Sequence, residues 1–179
     1  SDNRDDLIIM SMVPQDMGLE FLPFLNKPIV AVAPPDHPLC KLETLRLQDL
    51  EPHTLLVREQ GSGTRKACEE YFKDKRVHFT QTLEVASADA QRECVIAGLG
   101  IALLTRHALN LELATGMLRE LPIEELPLYR SWCVVQAKAK RQSPVALAFL
   151  AFIRSERTQI STLVERFSGK LPPIPATRQ

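Results

Sequence analysis

Short apolar runs alternate with amphipathic segments along this chain, and the spacing of their apolar positions predicts strands and helices in turn. Predicted strands fall at residues 7–12, 29–33, 55–57, 80–85, 101–105, 118–123 and 131–137. Predicted helices fall at residues 45–50, 64–72, 88–97, 107–114 and 144–167. Strands that alternate with helices through short turns are typical of an α/β fold with largely parallel sheets.

Glycine and proline mark the ends of several of these elements. Three prolines within residues 34–38 stop the second strand, because proline supports neither a sheet ladder nor a helix interior. Gly98 and Gly116 end two helices, and Ser143 with Pro144 starts the last one. The strand at 7–12 is expected to be buried, and the apolar strand at 131–137 is expected to be a central parallel one.

Composition indicates a folded globular protein without an excess of either charge. The 179 residues are 45% hydrophobic and 25% charged, with 22 basic and 22 acidic side chains. This length fits one compact domain or one domain of two lobes. A zero formal net charge gives no domain-wide electrostatic footprint for nucleic acid. No apolar run approaches a membrane span and residues 1–6 do not resemble a signal peptide, so we expect a cytoplasmic protein without membrane contact.

The cysteines and histidines give little sign of metal or disulfide chemistry. The four cysteines are widely spaced and form no CxxC pair, so we expect reduced thiols, with Cys68 and Cys94 on apolar helix positions. The four histidines are scattered singly, which argues against a metal site.

Residues 59–66 (EQGSGTRK) form the segment with the most distinctive candidate chemistry. Gly61 and Gly63 let the backbone approach a ligand, while Ser62 or Thr64 can cap the helix that follows. Free N–H groups, hydroxyls and the guanidinium of Arg65 at a helix start suit an anion. An ordinary capped helix with solvated cations explains the local pattern equally well.

Motifs of hydrolases and nucleotide-binding enzymes are missing from the sequence. Ser62 is not in a G-x-S-x-G elbow, because Gln60 and Thr64 occupy the glycine positions. No G-x-x-x-x-G-K-[ST] loop occurs, and no histidine has a recognisable triad spacing. We therefore expect a binding protein and not an enzyme.

Four short motifs are distinctive by their order and spacing: residues 6–10 (DLIIM), 30–39 (VAVAPPDHPL), 97–102 (AGLGIA) and 116–118 (GML). Together they make the chain resemble the effector-binding domain of LysR-type transcriptional regulators. Residues 6–10 (DLIIM) are similar to that family's first "DLAI" strand, and residues 30–39 (VAVAPPDHPL) to its "VVxPxxHPL" crossover. Residues 97–102 (AGLGIA) resemble its helix-to-strand turn, and residues 116–118 (GML) its "GxL" turn. The match runs from about residue 6 to residue 153.

Within that family, the chain most resembles regulators of RuBisCO (Calvin-cycle) operons. Those regulators share the GSGTR core and the acidic–aromatic helix of residues 59–72. Residues 128–136 (LYRSWCVVQ) and 140–144 (KRQSP) are also similar to their corresponding segment. They tend to have Ser-Asn-Glu at the second helix start, where this chain has Ser87-Ala88-Asp89. The resemblance therefore leaves the effector open.

The resemblance implies two Rossmann-like lobes like those of type 2 periplasmic binding proteins. Lobe I would comprise residues 1–36 and 128–157, and lobe II residues 37–127. Residues 158–179 would be a helix extension with a proline-rich tail. Full-length members begin with a helix-turn-helix, a linker helix and the first part of lobe I, so we expect this lobe I to be incomplete at its N-terminus.

The resemblance also implies an effector site between the lobes, occupied by a phosphorylated or carboxylated metabolite or by NADPH, with no other cofactor. Its expected residues are Ser11, Gln60, Gly61, Ser62, Gly63, Thr64, Arg65, Ser87 and Asp89. Ser87 can equally be only a helix cap, and Ser11 can bond its own backbone. We expect Arg92 and Glu93 on a solvated helix face, and Arg106 and His107 on the surface.

Expected partners are a second copy, in a homodimer or homotetramer, and promoter DNA only through the helix-turn-helix of a full-length member. The helices at 90–97 and 145–167 are the candidate dimer surfaces. A solute-binding protein for a small anion would share the fold and the anion site, and is the alternative interpretation.

Overall fold

A computed structural model of the protein describes residues 5–13 and 18–168. Within these residues the strands are β1 (Ile8–Met10), β2 (Leu19–Ala33), β3 (Leu55–Arg58), β4 (Thr82–Val85), β5 (Ile101–Thr105), β6 (Arg119–Glu120) and β7 (Leu128–Ala137). The α-helices are α1 (Gly63–Lys75), α2 (Ala88–Ile96), α3 (Asn110–Thr115) and α4 (Pro144–Ser168). Short 3₁₀ helices lie at Pro38–Lys41, Leu47–Leu50 and Arg106–Leu109.

The chain divides into two compact units. One comprises residues 28–128, and the other comprises residues 1–27 together with residues 129–179. Strand β2 runs from the second of these units into the first.

The unit of residues 28–128 is built on a mixed sheet. Strand β5 lies between β2 and β3, antiparallel to β2 and parallel to β3. Strand β4 pairs in parallel with β3, and β6 pairs with the end of β2. Residues 101–104 of β5 are buried, as a central strand with helices on both faces requires.

The core of this unit lies between the sheet and α2. Val30, Leu56 and Leu104 on the sheet belong to one buried cluster with Val95 of α2, while Cys94 and Ile96 pack against its edge. The apolar stripe of α2 is therefore used inside its own unit, although the sequence suggested it as a dimer surface. Whether the protein dimerises remains a prediction.

The other unit contains β1, β7 and the first part of β2, with β7 hydrogen-bonded between its two neighbours. Strand β1 pairs with β7 in antiparallel register, Ile9 opposite Val134. Helix α4 packs on this layer, and its Leu150 and Ile153 form a buried cluster with Val134. The other face of α4 exposes Val145, Phe152 and Leu163.

Several expectations about the strands were wrong. The sheets are mixed, because β1, β2 and β7 make antiparallel pairs. Strand β7 is not a parallel strand, and β1 is not buried, since Ile8 and Ile9 are 47% and 52% exposed. The strand expected at 118–123 is reduced to β6 and a single bridge between Leu45 and Ile123.

Strand β2 begins ten residues before its predicted start at 29. Pro23 and Pro28 lie within it, and these prolines hid the strand from a pattern analysis. The short helices expected at 45–50 and 107–114 are wholly or partly 3₁₀.

The sequence predicts that the cysteines are reduced thiols. All four cysteines lie in the described residues and none of them is in a disulfide; Cys68 and Cys133 are buried. Burial raises the pKa of the Cys133 thiol to about 11, so it stays protonated at neutral pH.

None of the helices in the described ranges is long and apolar enough to cross a membrane. The predicted proline-rich tail lies outside the described residues.

Candidate functional site

The GSGTR segment comprises the end of a tight turn after β3 and the first three residues of α1. Gly61 has φ 90°, a left-handed conformation that glycine adopts without strain. Ser62 is the N-cap of α1, and its hydroxyl accepts a long hydrogen bond of 3.5 Å from the Arg65 amide. The sequence expectation of a capped helix start is confirmed, with Ser62 and not Thr64 as the cap.

A second helix starts next to the first. Ser87 caps α2 and accepts a hydrogen bond of 3.0 Å from the Ala90 amide. Asp89 lies in the first turn of α2, where its carboxylate pairs with Arg92 at 3.1 Å. The carboxylate is mostly exposed, with 82% of the side-chain surface accessible.

Sheet pairing brings these two helix starts to the same edge of the unit. Strands β3 and β4 are parallel neighbours, and their last residues, Arg58 and Val85, are register partners. Both strands end at the carboxyl edge of the sheet, and a helix follows each of them. The predicted residues 60–65, Ser87 and Asp89 therefore lie along one edge, with two helix N-termini that favour negative charge.

Arg65 is held by carboxylates and does not project freely into solvent. Its Nε donates to Glu69 at 2.7 Å, and its Nη1 donates to Glu84 and to the Arg58 carbonyl oxygen. Its side chain is 15% exposed. The hydrogen bonds that Arg65 donates to Glu69 and Glu84 raise the pKa of Arg65, which stays charged.

These contacts limit what Arg65 can do for an anion. The guanidinium and two carboxylates together carry a charge of −1. No hydrogen bond from Nη2 is found within the described residues, so this nitrogen has donors to offer. An anion at Arg65 must bind through Nη2 or displace a carboxylate. The sequence could suggest the pair with Glu69, because Glu69 lies four residues after Arg65 on the same helix. It could not suggest the pair with Glu84, which lies on β4.

An ion pair between Arg58 and Glu59 lies at the start of the turn. Arg58 donates to both carboxylate oxygens of Glu59, at 2.6 and 2.7 Å. This pairing, together with a hydrogen bond from its own backbone, lowers the pKa of Glu59. Glu59 is therefore ionised at neutral pH but carries little unpaired charge toward the turn.

Ser11, the remaining predicted site residue, lies in the other unit just after β1. Its hydroxyl accepts a hydrogen bond of 3.3 Å from the ammonium of Lys27, a side chain only 3% exposed. The Lys27 Nζ also lies 4.7 Å from the centroid of the Trp132 ring, a cation–π distance. Sequence analysis did not find Lys27 or Trp132, because a single lysine among strand residues carries no motif.

The expectation of a solvated helix face is confirmed for Glu93, whose side chain is 65% exposed, but not for Arg92. Arg92 is 23% exposed and pairs at 3.0 Å with Glu112 of α3, whose side chain is 12% exposed. Arg106 and His107 are half-buried, and Arg106 pairs with Glu120 at 2.9 Å. Burial, then the charge of Arg106, lowers the pKa of His107. These charges hold elements of the unit together.

Metal binding finds no support in the described ranges. Among those residues there is no group of three His, Cys, Asp or Glu side chains that could hold a metal ion.

A family model and the curated relatives both identify the same protein family for this chain. The family model described as "LysR substrate binding domain" matches residues 1–158. The RuBisCO operon transcriptional regulator of Allochromatium vinosum is 35% identical over 158 residues, covering 88% of this chain and 52% of that protein. The regulator CbbR of Rhodospirillum rubrum is 38% identical over 156 residues, covering 86% and 51%. The chain thus spans about half the length of the curated relatives it matches.

Solved structures agree with the sequence relatives. The regulatory domain of CcmR from Synechocystis PCC6803, in complex with 2-PG, superposes with a TM-score of 0.81 at 33% identity, covering 89% of this chain and 76% of that one. The effector-binding domain of QuiR, in complex with shikimate, gives a TM-score of 0.76 at 25% identity, covering 87% and 73%.

Proposed function

This chain belongs to the LysR substrate-binding domain family, and from that membership we propose that it senses a small anionic metabolite for a LysR-type transcriptional regulator. The effector carries phosphate or carboxylate groups. Its binding controls how the regulator's DNA-binding domains engage a promoter. The similarity to RuBisCO operon regulators favours carbon-fixation genes as targets.

The position of two helix N-termini is the observation that supports an anion as the ligand. Two capped helix N-termini, those of α1 and α2, leave parallel neighbouring strands at the same edge of the sheet. Each terminus carries the partial positive charge of a helix dipole, which attracts an anion. The proposed ligand-binding residues are Ser11, Gln60, Gly61, Ser62, Gly63, Thr64, Arg65, Ser87 and Asp89.

The relatives' ligands fit this chemistry. CcmR binds 2-PG and QuiR binds shikimate in their solved structures. For this chain, 2-PG, ribulose bisphosphate, phosphoenolpyruvate and NADPH are the first candidates, and no other cofactor is proposed. The relatives are regulators, so binding and release of the effector, without chemical conversion, is the proposed activity.

The proposed mechanism is a shift between two conformational states of the regulator. An effector favours one state only through a difference in its affinity for the two. In the proposed assembly, a cytoplasmic homodimer or homotetramer carries the DNA-binding domains, and effector binding alters their spacing. The chain described here contributes the sensor.

Isothermal titration of the chain with the four candidates, phosphate and sulfate tests the proposal. We expect at least one organic anion to bind more tightly than inorganic phosphate. Gln60→Glu adds a negative charge at the exposed turn and should weaken that binding about tenfold, since a nearby like charge costs on the order of 1 kcal/mol near a protein surface.

The matched control is Gln81→Glu, which adds the same charge at the opposite end of β4 from Ser87. This variant should bind the anion as the unsubstituted chain does. Equal weakening in both variants, or no binding of any candidate, contradicts the proposed site.

A further inference from the structure

A cavity of about 410 Å³ lies between α1 and the sheet in the unit of residues 28–128. Residues of β3, of α1 and of the edge strand β4 line it. A cavity of this volume falls in the lower range of small-molecule sites. Much of its lining is apolar, and includes Leu55, Val57, Cys68, Phe72, Val77 and Phe79. The cavity therefore suits the apolar part of a small ligand.

The two ends of the cavity differ in chemistry. Helix α1 connects the parallel strands β3 and β4, so it runs back from their carboxyl ends toward their amino ends. Arg58 and Arg65 line the end at the start of α1, whereas Lys73 and His78 line the other end. Residues 65 and 73 are about 12 Å apart along the helix, at 1.5 Å of rise per residue. The Lys73 end is thus distinct from the edge where the two helix N-termini lie.

Lys73 carries the charge that is available to a ligand. Arg58 is engaged by Glu59, and Arg65 by Glu69 and Glu84. The Lys73 ammonium has no ion pair or hydrogen bond with any described residue. Among the described residues that line the cavity, Glu69 is the only acidic one, and it accepts a hydrogen bond from Arg65 at 2.7 Å. One unpaired cation, with Glu69 one turn away, favours a ligand with a single negative charge.

Two aromatic rings lie at the same end of the cavity as Lys73. Phe72 and Phe79 both line it, with ring centroids 4.9 Å apart and planes tilted by 59°. Phe72 directly precedes Lys73 in α1. A ring in the ligand can pack against the faces and edges of these side chains while a carboxylate next to the ring reaches the ammonium.

We propose that this cavity binds a monocarboxylate with an apolar, ring-bearing body, whose carboxylate pairs with Lys73 and whose ring packs against Phe72 and Phe79. This site does not rest on the proposed function, because it is separate from the carboxyl edge of the sheet. Its occupant lies beneath α1, and Thr64 in the first turn of that helix lines the same cavity. The unit thus has a second ligand site under the helix whose N-terminus belongs to the first.

The probes for this site are 4-phenylbutyrate and 4-phenylbutyramide. They have nearly the same shape, but only the acid is charged at neutral pH. In methyl NMR titrations of the whole chain, both should shift the signals of Leu55, Val57 and Val77 and leave Leu150 of the other unit unchanged. The acid should bind about three- to fivefold more tightly, because an ion pair with an exposed lysine is partly screened by water.

A pair of lysine variants tests the charge assignment. Lys73→Gln removes the cation at an exposed helix position, and should reduce the acid-to-amide preference to about one while the amide binds as before. Lys66→Gln is the matched control, since Lys66 is exposed on the same helix but does not line the cavity. This control variant should keep the preference for the acid.

A third variant tests the cavity itself. Val57→Phe places a larger side chain in the space that the probe would fill, and should weaken both probes by on the order of tenfold. If this variant does not fold, nuclear Overhauser contacts between the phenyl ring of the probe and the methyl groups of Val57 and Val77 decide. Their absence overturns the assignment.

Other results would also overturn the proposal. These are no binding of either probe, equal binding of acid and amide, a preference for the acid that survives Lys73→Gln, or shifts that appear first at Gly61 and Ser87. Failure of 2-PG or phosphate to bind counts against the proposed function alone, because neither has an apolar ring to place in this cavity.

Discussion

At the residue scale, Gly100 lies so close to the backbone of Thr54 that no side chain fits at this position. A Cβ built on Gly100 would overlap the Thr54 carbonyl oxygen, which accepts the Ile101 amide at 2.9 Å. Gly100→Ala must therefore displace β5 from the loop before β3. We expect a loss of about 3 kcal/mol in the free energy of unfolding, measured by urea denaturation.

Gly98→Ala is the matched control for this prediction. Gly98 has φ 78° and open space around it, so alanine meets only backbone strain of about 1 kcal/mol. If both variants lose the same stability, the contact with Thr54 does not determine the cost.

His37 makes the stability of the protein depend on pH. Its Nδ1 accepts the Leu39 amide at 3.3 Å, and its ring lies 4.8 Å from that of His53. Burial first, and then the charge of His53, lowers the pKa of His37, with Asp36 opposing. The unfolded chain, with a histidine pKa of about 6.5, therefore binds the proton more readily, and stability falls as the pH decreases through that value.

His37→Asn tests this dependence, because asparagine can accept the same amide hydrogen without titrating. Chemical denaturation at pH 7 and at pH 5 should show a smaller loss of stability in the variant than in the unsubstituted protein. Part of the loss will remain, since burial also lowers the pKa of His107. An identical loss in both proteins contradicts the role of His37.

At the element scale, the caps of α1 and α2 differ in strength. The Ser87 hydroxyl lies 3.0 Å from the Ala90 amide, whereas the Ser62 hydroxyl lies 3.5 Å from the Arg65 amide. Because hydrogen bonds weaken with distance, Ser87→Ala should cost about 1 kcal/mol and Ser62→Ala about half as much. Thermal unfolding of the two variants measures both costs.

Ser87→Asp separates capping from ligand binding. Aspartate is also a good N-cap, so stability should stay within a few tenths of a kcal/mol of the unsubstituted protein. Its negative charge should nevertheless weaken binding of the proposed anion. A variant that binds the anion normally would argue that Ser87 is a cap alone.

The element pattern shows how far local sequence signals reach. Strand β5 was predicted at its observed bounds, because an apolar run stands directly between Gly100 and a polar segment. Helices α1, α2 and α4 start within one residue of their predicted positions, as their serine or proline signals indicate. Strand β2 was mostly missed, because its prolines conflict with a strand unless the fold places them where no amide donor is needed.

At the scale of the whole molecule, the two units have separate buried clusters. Leu104 belongs to the cluster of residues 28–128, and Leu150 to that of the other unit. Leucine-to-alanine changes in such cores cost about 2–5 kcal/mol. In hydrogen exchange, Leu104→Ala should speed exchange mainly in β3 and β5, and Leu150→Ala mainly in β7 and α4.

Each variant serves as the other's control in this experiment. The same exchange pattern in both would mean that the chain opens as one cooperative unit. The separate clusters would then not correspond to separate opening events.

The sequence by itself determined the features that depend on neighbouring residues. These are the α/β alternation, the capped starts of α1 and α2, the turn at Gly61 and the family resemblance that the family model confirmed. The predicted effector-binding residues stay a prediction. The parallel pairing of β3 and β4 nevertheless places all of them except Ser11 along the carboxyl edge of the sheet in the unit of residues 28–128.

Tertiary structure alone decided which side chains meet. Arg65 reaches Glu84 across 19 positions, Gln91 reaches the Leu56 carbonyl across 35, and Lys27 reaches Ser11 across 16. Such pairs depend on which strands lie side by side and on the direction in which each runs. A local pattern specifies that a segment is a strand or a helix, but the neighbours of that segment are set by the burial of the whole apolar surface.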